Sequence, residues 1–276
     1  MTGIRTFGMA VAIIGGLAGV VGTAEPVQAE TLTVGAAHSL KGAFQDIVPM
    51  FEKEYGVTVE ILYGPSQTLR RQIEQGAPID VFLPGAFEEV EKLQKKGLTI
   101  NGGPRVFAQT SLVLIMATSA SATSVSFHDG LPNLATRIAL VDPKTSALGG
   151  ITARLLAKMG PASKDSARVL YAEHSDDVVN MVSTGRADVG IVYRVDAIKN
   201  GQVRIIDETP AGRHTPVQFG QAVVWTCRDE VRHVAEEFFK FIASPRIQKL
   251  MLKYGFDPVS SNSVSSGDLA LKLMHE

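Results

Sequence analysis

Four turns in the chain place small or polar residues where an apolar, strand-like run gives way to a helical pattern. They are Ser39 in "GAAHSLKGAF", Ser66 in "GPSQTLRRQI", the Leu148-Gly149-Gly150 turn after "RIALVDP", and Ser175 after "VLYAE". A serine at such a place can be a nucleophile, a plain helix cap, or part of a cradle for an anion. A helix start offers backbone N–H groups without intrahelical acceptors and the positive end of a dipole, so several together can hold a dianion without Lys or Arg. Serine is also a preferred N-cap, and taken singly each of these reads as a cap. Tyr193, which closes the run "VGIVY", is either a further hydroxyl donor or a core residue with a satisfied hydroxyl.

Other chemistries fit poorly. A serine hydrolase needs a base held by a third group, usually with the nucleophile on a sharp Gly-x-Ser-x-Gly turn, and "AHSLK" lacks that turn. Side chains of adjacent residues diverge, so His38 is a poor base for Ser39. The six histidines, His38, His128, His174, His214, His233 and His275, show no paired spacing for a metal. Asp176-Asp177 reads as a first-turn acidic pair that favours the helix dipole. A phosphate-binding Gly-x4-Gly-Lys-Ser/Thr run is absent from the sequence. We therefore expect no enzyme activity, no cofactor and no direct protein–metal ligation.

The elements that must position these turns alternate in an α/β rhythm. Strand-like "TLTVGAA" precedes a helical pattern through Leu40, Phe44, Ile47, Val48 and Phe51; "VTVEILYG" precedes a short helix with Leu69 and Ile73. "IDVFLPG", an amphipathic helix from Phe87 to Lys96, and the strand "SLVLIMAT" follow. Further strands at "RIALVDP", "VLYAE" and "DVGIVY" alternate with helices beginning near Ile151 and Ser175. After "FGQAVVWTC" come two helices, one with Val234, Phe238, Phe241 and Ile242, the other with Ile247, Leu250 and Met251. The Ser-rich tail from Asp257 predicts a partly ordered end.

Composition narrows the setting. Arg5 is followed by the uncharged run "FGMAVAIIGGLAGVVGTA" and then by Val27-Gln28-Ala29, which reads as a signal peptide cleaved after Ala29. The single cysteine, Cys227, forbids an intrachain disulfide and leaves no lipidated cysteine after the signal. About 245 residues remain, enough for two domains held together by burial alone. With 27 Lys+Arg against 28 Asp+Glu, nothing points to nucleic acid or an anionic membrane.

The order of the four turns is specific. "GAAHSLKGAFQDI", "PSQTLRRQIEQGAPIDVF", "DVGIVYRVDA" and the closing "KYGF" resemble the periplasmic molybdate-binding component of ABC importers, within the type II solute-binding proteins. The resemblance implies an α/β fold of two lobes, each a mixed sheet flanked by helices, with residues 30–109 and 219–276 in the first lobe and 110–218 in the second. It implies a monomer that captures molybdate or tungstate between the lobes and delivers it to an ABC permease in the inner membrane. The ligand donors would be Ser39 and Ser66 through hydroxyl and backbone N–H, the backbone N–H groups near Leu148 and Ser175, and the Tyr193 hydroxyl. His38, Gln67, Leu148 and His174 depart from the family pattern beside that site, and the two histidines introduce pH-dependent charge. Alternatives are the same fold with sulfate, phosphate or a small carboxylate, or an exported accessory protein without a transport partner. Neutral donors disfavour phosphate, which keeps a proton at neutral pH that needs an acceptor.

Overall fold

The computed structural model describes residues 30–121, 126–127, 137–158, 169–198, 200–209, 216–257 and 259. Residues 1–29, expected from the sequence to be a signal peptide, the tail beyond Val259, and His128, His214 and His275 lie outside the described residues.

Two five-stranded sheets form. The first has the order β2-β1-β3-β10-β4, from Thr58–Gly64, Thr31–Ala37, Val81–Leu83, Val217–Val224 and Thr99–Thr110. The second has the order β7-β6-β8-β5-β9, from Val169–Ala172, Ile138–Val141, Val189–Tyr193, Leu112–Ala117 and Val203–Glu208. In each, three strands run parallel and the other two complete the sheet through antiparallel pairing. Position by position the sheets match: β1 corresponds to β6, β2 to β7 and β3 to β8. The chain leaves the first sheet between Thr110 and Leu112 and returns between Glu208 and Val217, and Gln109 pairs with Gln218 at this double crossing. Both sheets carry helices, as the alternation of patterns predicts.

Helix α1 (Lys41–Tyr55) buries Ala43, Phe44, Ile47 and Phe51 at helical spacing. Its partner is the late helix α7 (Arg232–Ile242), where Phe238 and Phe241 meet the Phe51 ring edge-on at 4.9 and 5.2 Å. A late helix therefore completes the layer begun by the first one. On the other face, α2 (Ser66–Glu74) and α3 (Phe87–Lys95) cover Ile79 and Phe82 with Leu69, Ile73, Val90 and Leu93. In the second sheet, α4 (Ala147–Lys158) and α5 (Ser175–Ser183) perform the same service. Val178 of α5 packs so closely that a Cβ on Gly190 of β8 would stand 2.6 Å from it. Helix α6 (Arg194–Ala197) is one turn following β8, and α8 (Pro245–Leu252) is the last of the described helices.

Candidate functional site: an anion-sized cavity between the sheets

Parallel strands in α/β sheets carry their ligands beyond their carboxyl ends. Here the matched strands of both sheets point those ends at one another. From the first sheet, β1 runs into a 3-10 turn holding Ser39, β2 into α2 at Ser66, and β3 into Gly85. From the second, β6 leads to α4 at Leu148, β7 to α5 at Ser175, and β8 ends on Tyr193. All six residues line one cavity of about 30 Å³, along with His38 and His174. That is room for a small ion or about two waters. No Lys or Arg is among the groups that line it, and Glu173 is the one carboxylate there, with its side chain 73% exposed.

The serines do not cap their helices through their side chains. Pro65 occupies the N-cap of α2 and His174 that of α5. Ser66 Oγ instead accepts a hydrogen bond from Gly85 N at 3.0 Å, which leaves its proton available. Ser39 Oγ donates to Asp196 Oδ2 at 2.9 Å, and the Ser175 side chain hydrogen-bonds to the same carboxylate. Tyr193, 2% exposed, donates its hydroxyl to Gly85 O at 2.9 Å. Burial raises the Tyr193 pKa well above the usual phenol value, so it stays a neutral donor. At Leu148, the first turn of α4 lies directly on the end of β6. A Cβ on Gly149 would come within 2.5 Å of the carbonyl oxygens of Val141 and Asp142, so only glycine admits this approach.

Several of these contacts cross from one sheet's elements to the other's. Besides Ser39–Asp196 and Tyr193–Gly85, Gln67 N donates to Thr145 O at 3.2 Å. Its amide nitrogen reaches Pro143 O and Ser146 O at 3.2 and 3.0 Å. Gln67 is thus a strut between α2 and the loop before α4. Arg154 and Glu88 form an exposed cross-pair at 2.8 Å. At the cavity edge the rings of His38 and His174 stack with centroids 4.5 Å apart and planes 15° from parallel. Burial chiefly, and the neighbouring His174, lower the His38 pKa; Asp176, 3.5 Å from its Nε2, works the other way.

The five residues singled out from sequence, Ser39, Ser66, Leu148, Ser175 and Tyr193, all line this cavity. Reading the sequence missed Gly85, whose N–H and carbonyl hold Ser66 and Tyr193, and Asp196, which holds two serine hydroxyls. "IDVFLPG" marked the strand that delivers Gly85, and "VGIVYRVDA" contains Asp196; neither run signals these bonds. The Asp176-Asp177 pair does lie in the first turn of α5, where Asp177 Oδ2 accepts from His174 N at 3.1 Å.

Comparison with known proteins bears on the family and the fold. The family described as bacterial extracellular solute-binding protein matches residues 32–257. A putative ABC transporter substrate-binding lipoprotein, YvgL of Bacillus subtilis, is 31% identical over 229 residues, covering 82% of this chain and 86% of its own. The molybdate-binding protein ModA of Escherichia coli is 30% identical over 230 residues, covering 82% and 88% respectively. Among solved structures, the sulfate-binding protein SubI of Mycobacterium tuberculosis superposes with a TM-score of 0.70 at 19% identity, covering 87% of this chain and 90% of that one. At that identity the likeness is one of fold.

Proposed function

The chain belongs to the bacterial extracellular solute-binding proteins, a family of transport components rather than enzymes, and within it we propose that this protein captures a tetrahedral oxyanion, molybdate or tungstate, in the periplasm and hands it to an ABC permease. The observation that carries the reading is the convergence of strand ends from both sheets on one small cavity walled without Lys or Arg. Such a site suits a fully deprotonated oxyanion, which needs donors only. The cavity is too small for citrate-sized ligands.

In this reading Ser39 and Ser66 donate through hydroxyl and backbone N–H, Leu148 and Ser175 through backbone N–H, and Tyr193 through its hydroxyl. Tyr193 must then exchange Gly85 O for the anion. Residues 30–109 with 219–276 form one lobe and 110–218 the other, and the ligand closes them because neither lobe holds enough donors alone. The first 29 residues serve as the export signal, and the protein works as a monomer. Sulfate is the nearest rival: it has the same protonation state, and its shorter bonds would leave donors unsatisfied in a cavity set for the larger ions.

Calorimetry of the refolded protein against molybdate, tungstate, sulfate, phosphate and citrate tests this. Molybdate and tungstate should bind alike and more tightly than sulfate. Ser66→Ala should weaken both by about ten- to a hundredfold, the worth of one charge-assisted bond of about 1.5 to 3 kcal/mol. Tighter binding of sulfate or a carboxylate would overturn the ligand assignment.

A further inference from the structure

Asp196 stands behind the cavity wall, on the one-turn helix that follows Tyr193. It accepts from Ser39 in the first lobe and from Ser175 in its own. A serine hydroxyl has one proton. While Ser39 donates it to Asp196, Ser39 Oγ can show an anion only lone pairs. Turning that proton toward an anion strips the carboxylate of one donor and leaves two like charges separated by a single hydroxyl group, in a site where water cannot screen them.

Resting on the anion-capture reading above, we propose that capture is coupled to uptake of one proton by Asp196. In the loaded protein, the Asp196 carboxylic acid donates to Ser39 Oγ, Ser39 donates to the anion, and Ser175 continues to donate to the same carboxyl group. The proton comes from solvent, and the new O–H bond forms on Asp196. Asp196 is a positioning residue: it acts through Ser39 and does not touch the ligand.

The surroundings favour an easily protonated carboxyl. The carboxyl group is buried although the residue is partly exposed. Burial, the largest influence, raises its pKa to about 7, with a further push from Asp176; the bonds from Ser39, Ser175 and the Tyr193 backbone act in the opposite sense. The elements packed against it supply Asp176 and Asp177 from α5, Tyr193 from β8, and Arg204, Asp207 and Glu208 from β9; β5 supplies no ionisable side chain. Arg194, on its own helix, is engaged with Glu208 and Asp257. From the first lobe come His38 and Lys41, near Asp176 and the cavity mouth.

Sodium molybdate is the probe, because it is fully deprotonated near neutral pH and cannot itself bring the proton. Calorimetry at about pH 8 in two buffers of different ionisation enthalpy should show uptake approaching one proton per anion. Affinity should be level below about pH 7 and then fall by up to about tenfold per pH unit. Asp196→Asn should bind at about pH 8 with no uptake and a level pH profile, since its amide can donate to Ser39 without a proton from solvent. The double variant His38→Gln, His174→Gln should keep the uptake. Binding without proton uptake in the parent overturns the coupling and leaves the anion reading intact. Uptake lost with the histidines but kept in Asp196→Asn also overturns it. Should Asp196→Asn fail to fold, the parent and the histidine variant still decide. Absence of heat with molybdate, tungstate and sulfate alike overturns both readings.

Discussion

The two lobes share a strand order, and each begins its third matched strand with an aspartate: Asp80 enters β3 and Asp188 enters β8. Both carboxylates are forked by an arginine. Asp80 is fully buried and takes Arg228 Nη2 at 2.7 Å, Arg228 N at 3.1 Å and Thr33 N at 2.8 Å. Asp188 takes Arg137 Nη2 at 2.7 Å and Arg137 N at 2.8 Å, but its side chain is 40% exposed. The difference follows from the route of the chain. Arg228 arrives from beyond β10, 148 residues away, so Asp80 ties β1, β3 and the returning segment together beneath covering structure. Asp188 joins only the starts of β6 and β8. One motif is a staple in one lobe and a surface clasp in the other, and burial decides which.

Asp80→Ala is the strongest way to break the comparison. It leaves Arg228 half covered with its carboxylate removed and frees the N–H groups of Thr33 and Arg228. Loss of one partner of a buried pair costs about 3 to 5 kcal/mol, and Arg228's partial exposure puts the expectation near about 3. Urea unfolding should show a large fall in midpoint with an unchanged slope. A midpoint within error of the parent would mean that the buried fork contributes nothing net.

Asp196 sharpens the comparison from the other end of β8. It is a buried carboxyl whose immediate partners are hydroxyls, and its pKa rises to about 7 instead of falling. The folded protein therefore holds this proton more tightly than the unfolded chain, where a carboxyl titrates near about 4. The stabilising contribution is complete below the unfolded value and is lost as pH rises through about 7. Relative to Asp196→Asn, parent stability should decline between about pH 4 and pH 7 and level off above. Urea midpoints for both proteins across that range measure it, and a flat difference would show that the folded and unfolded pKa values coincide.

Much of this was legible in the sequence where the signal is local. Strand β1 coincides with "TLTVGAA", and the helix read from Phe87 ends one residue short of Lys96. The five singled-out residues were found because each sits at a strand-to-helix junction, a feature contained in about ten residues. What stayed hidden has a different origin. Ser39 and Asp196 are 157 residues apart, and the His38–His174 stack exists only because matched strand ends face each other. A serine before a helix is locally identical whether it caps that helix or reaches across to a carboxylate; only the tertiary partner distinguishes them. Arg228 and Asp80 are equally remote, so the sequence shows two ordinary charges where the fold has a staple.

The smallest effect belongs to Asp188→Asn, and its value is as a control on burial. The Arg137 side chain, the nearest backbone N–H and the Coulomb attraction hold the Asp188 pKa below the usual carboxylate value, with the Arg137 hydrogen bond the largest influence. A carboxyl with a depressed folded pKa adds stability above its unfolded pKa and loses it as pH falls through the folded one. The variant should therefore differ from the parent at neutral pH and converge with it in acid, the reverse of the Asp196 trend. Because Arg137 is exposed, solvent and salt screen the pair, and the midpoint shift should be well below that of Asp80→Ala. Added sodium chloride should shrink it further while leaving the Asp80 effect nearly unchanged. If salt instead reduces both effects equally, burial is not what separates the two forks, and the asymmetry between the lobes has to be sought in how their sheets pack.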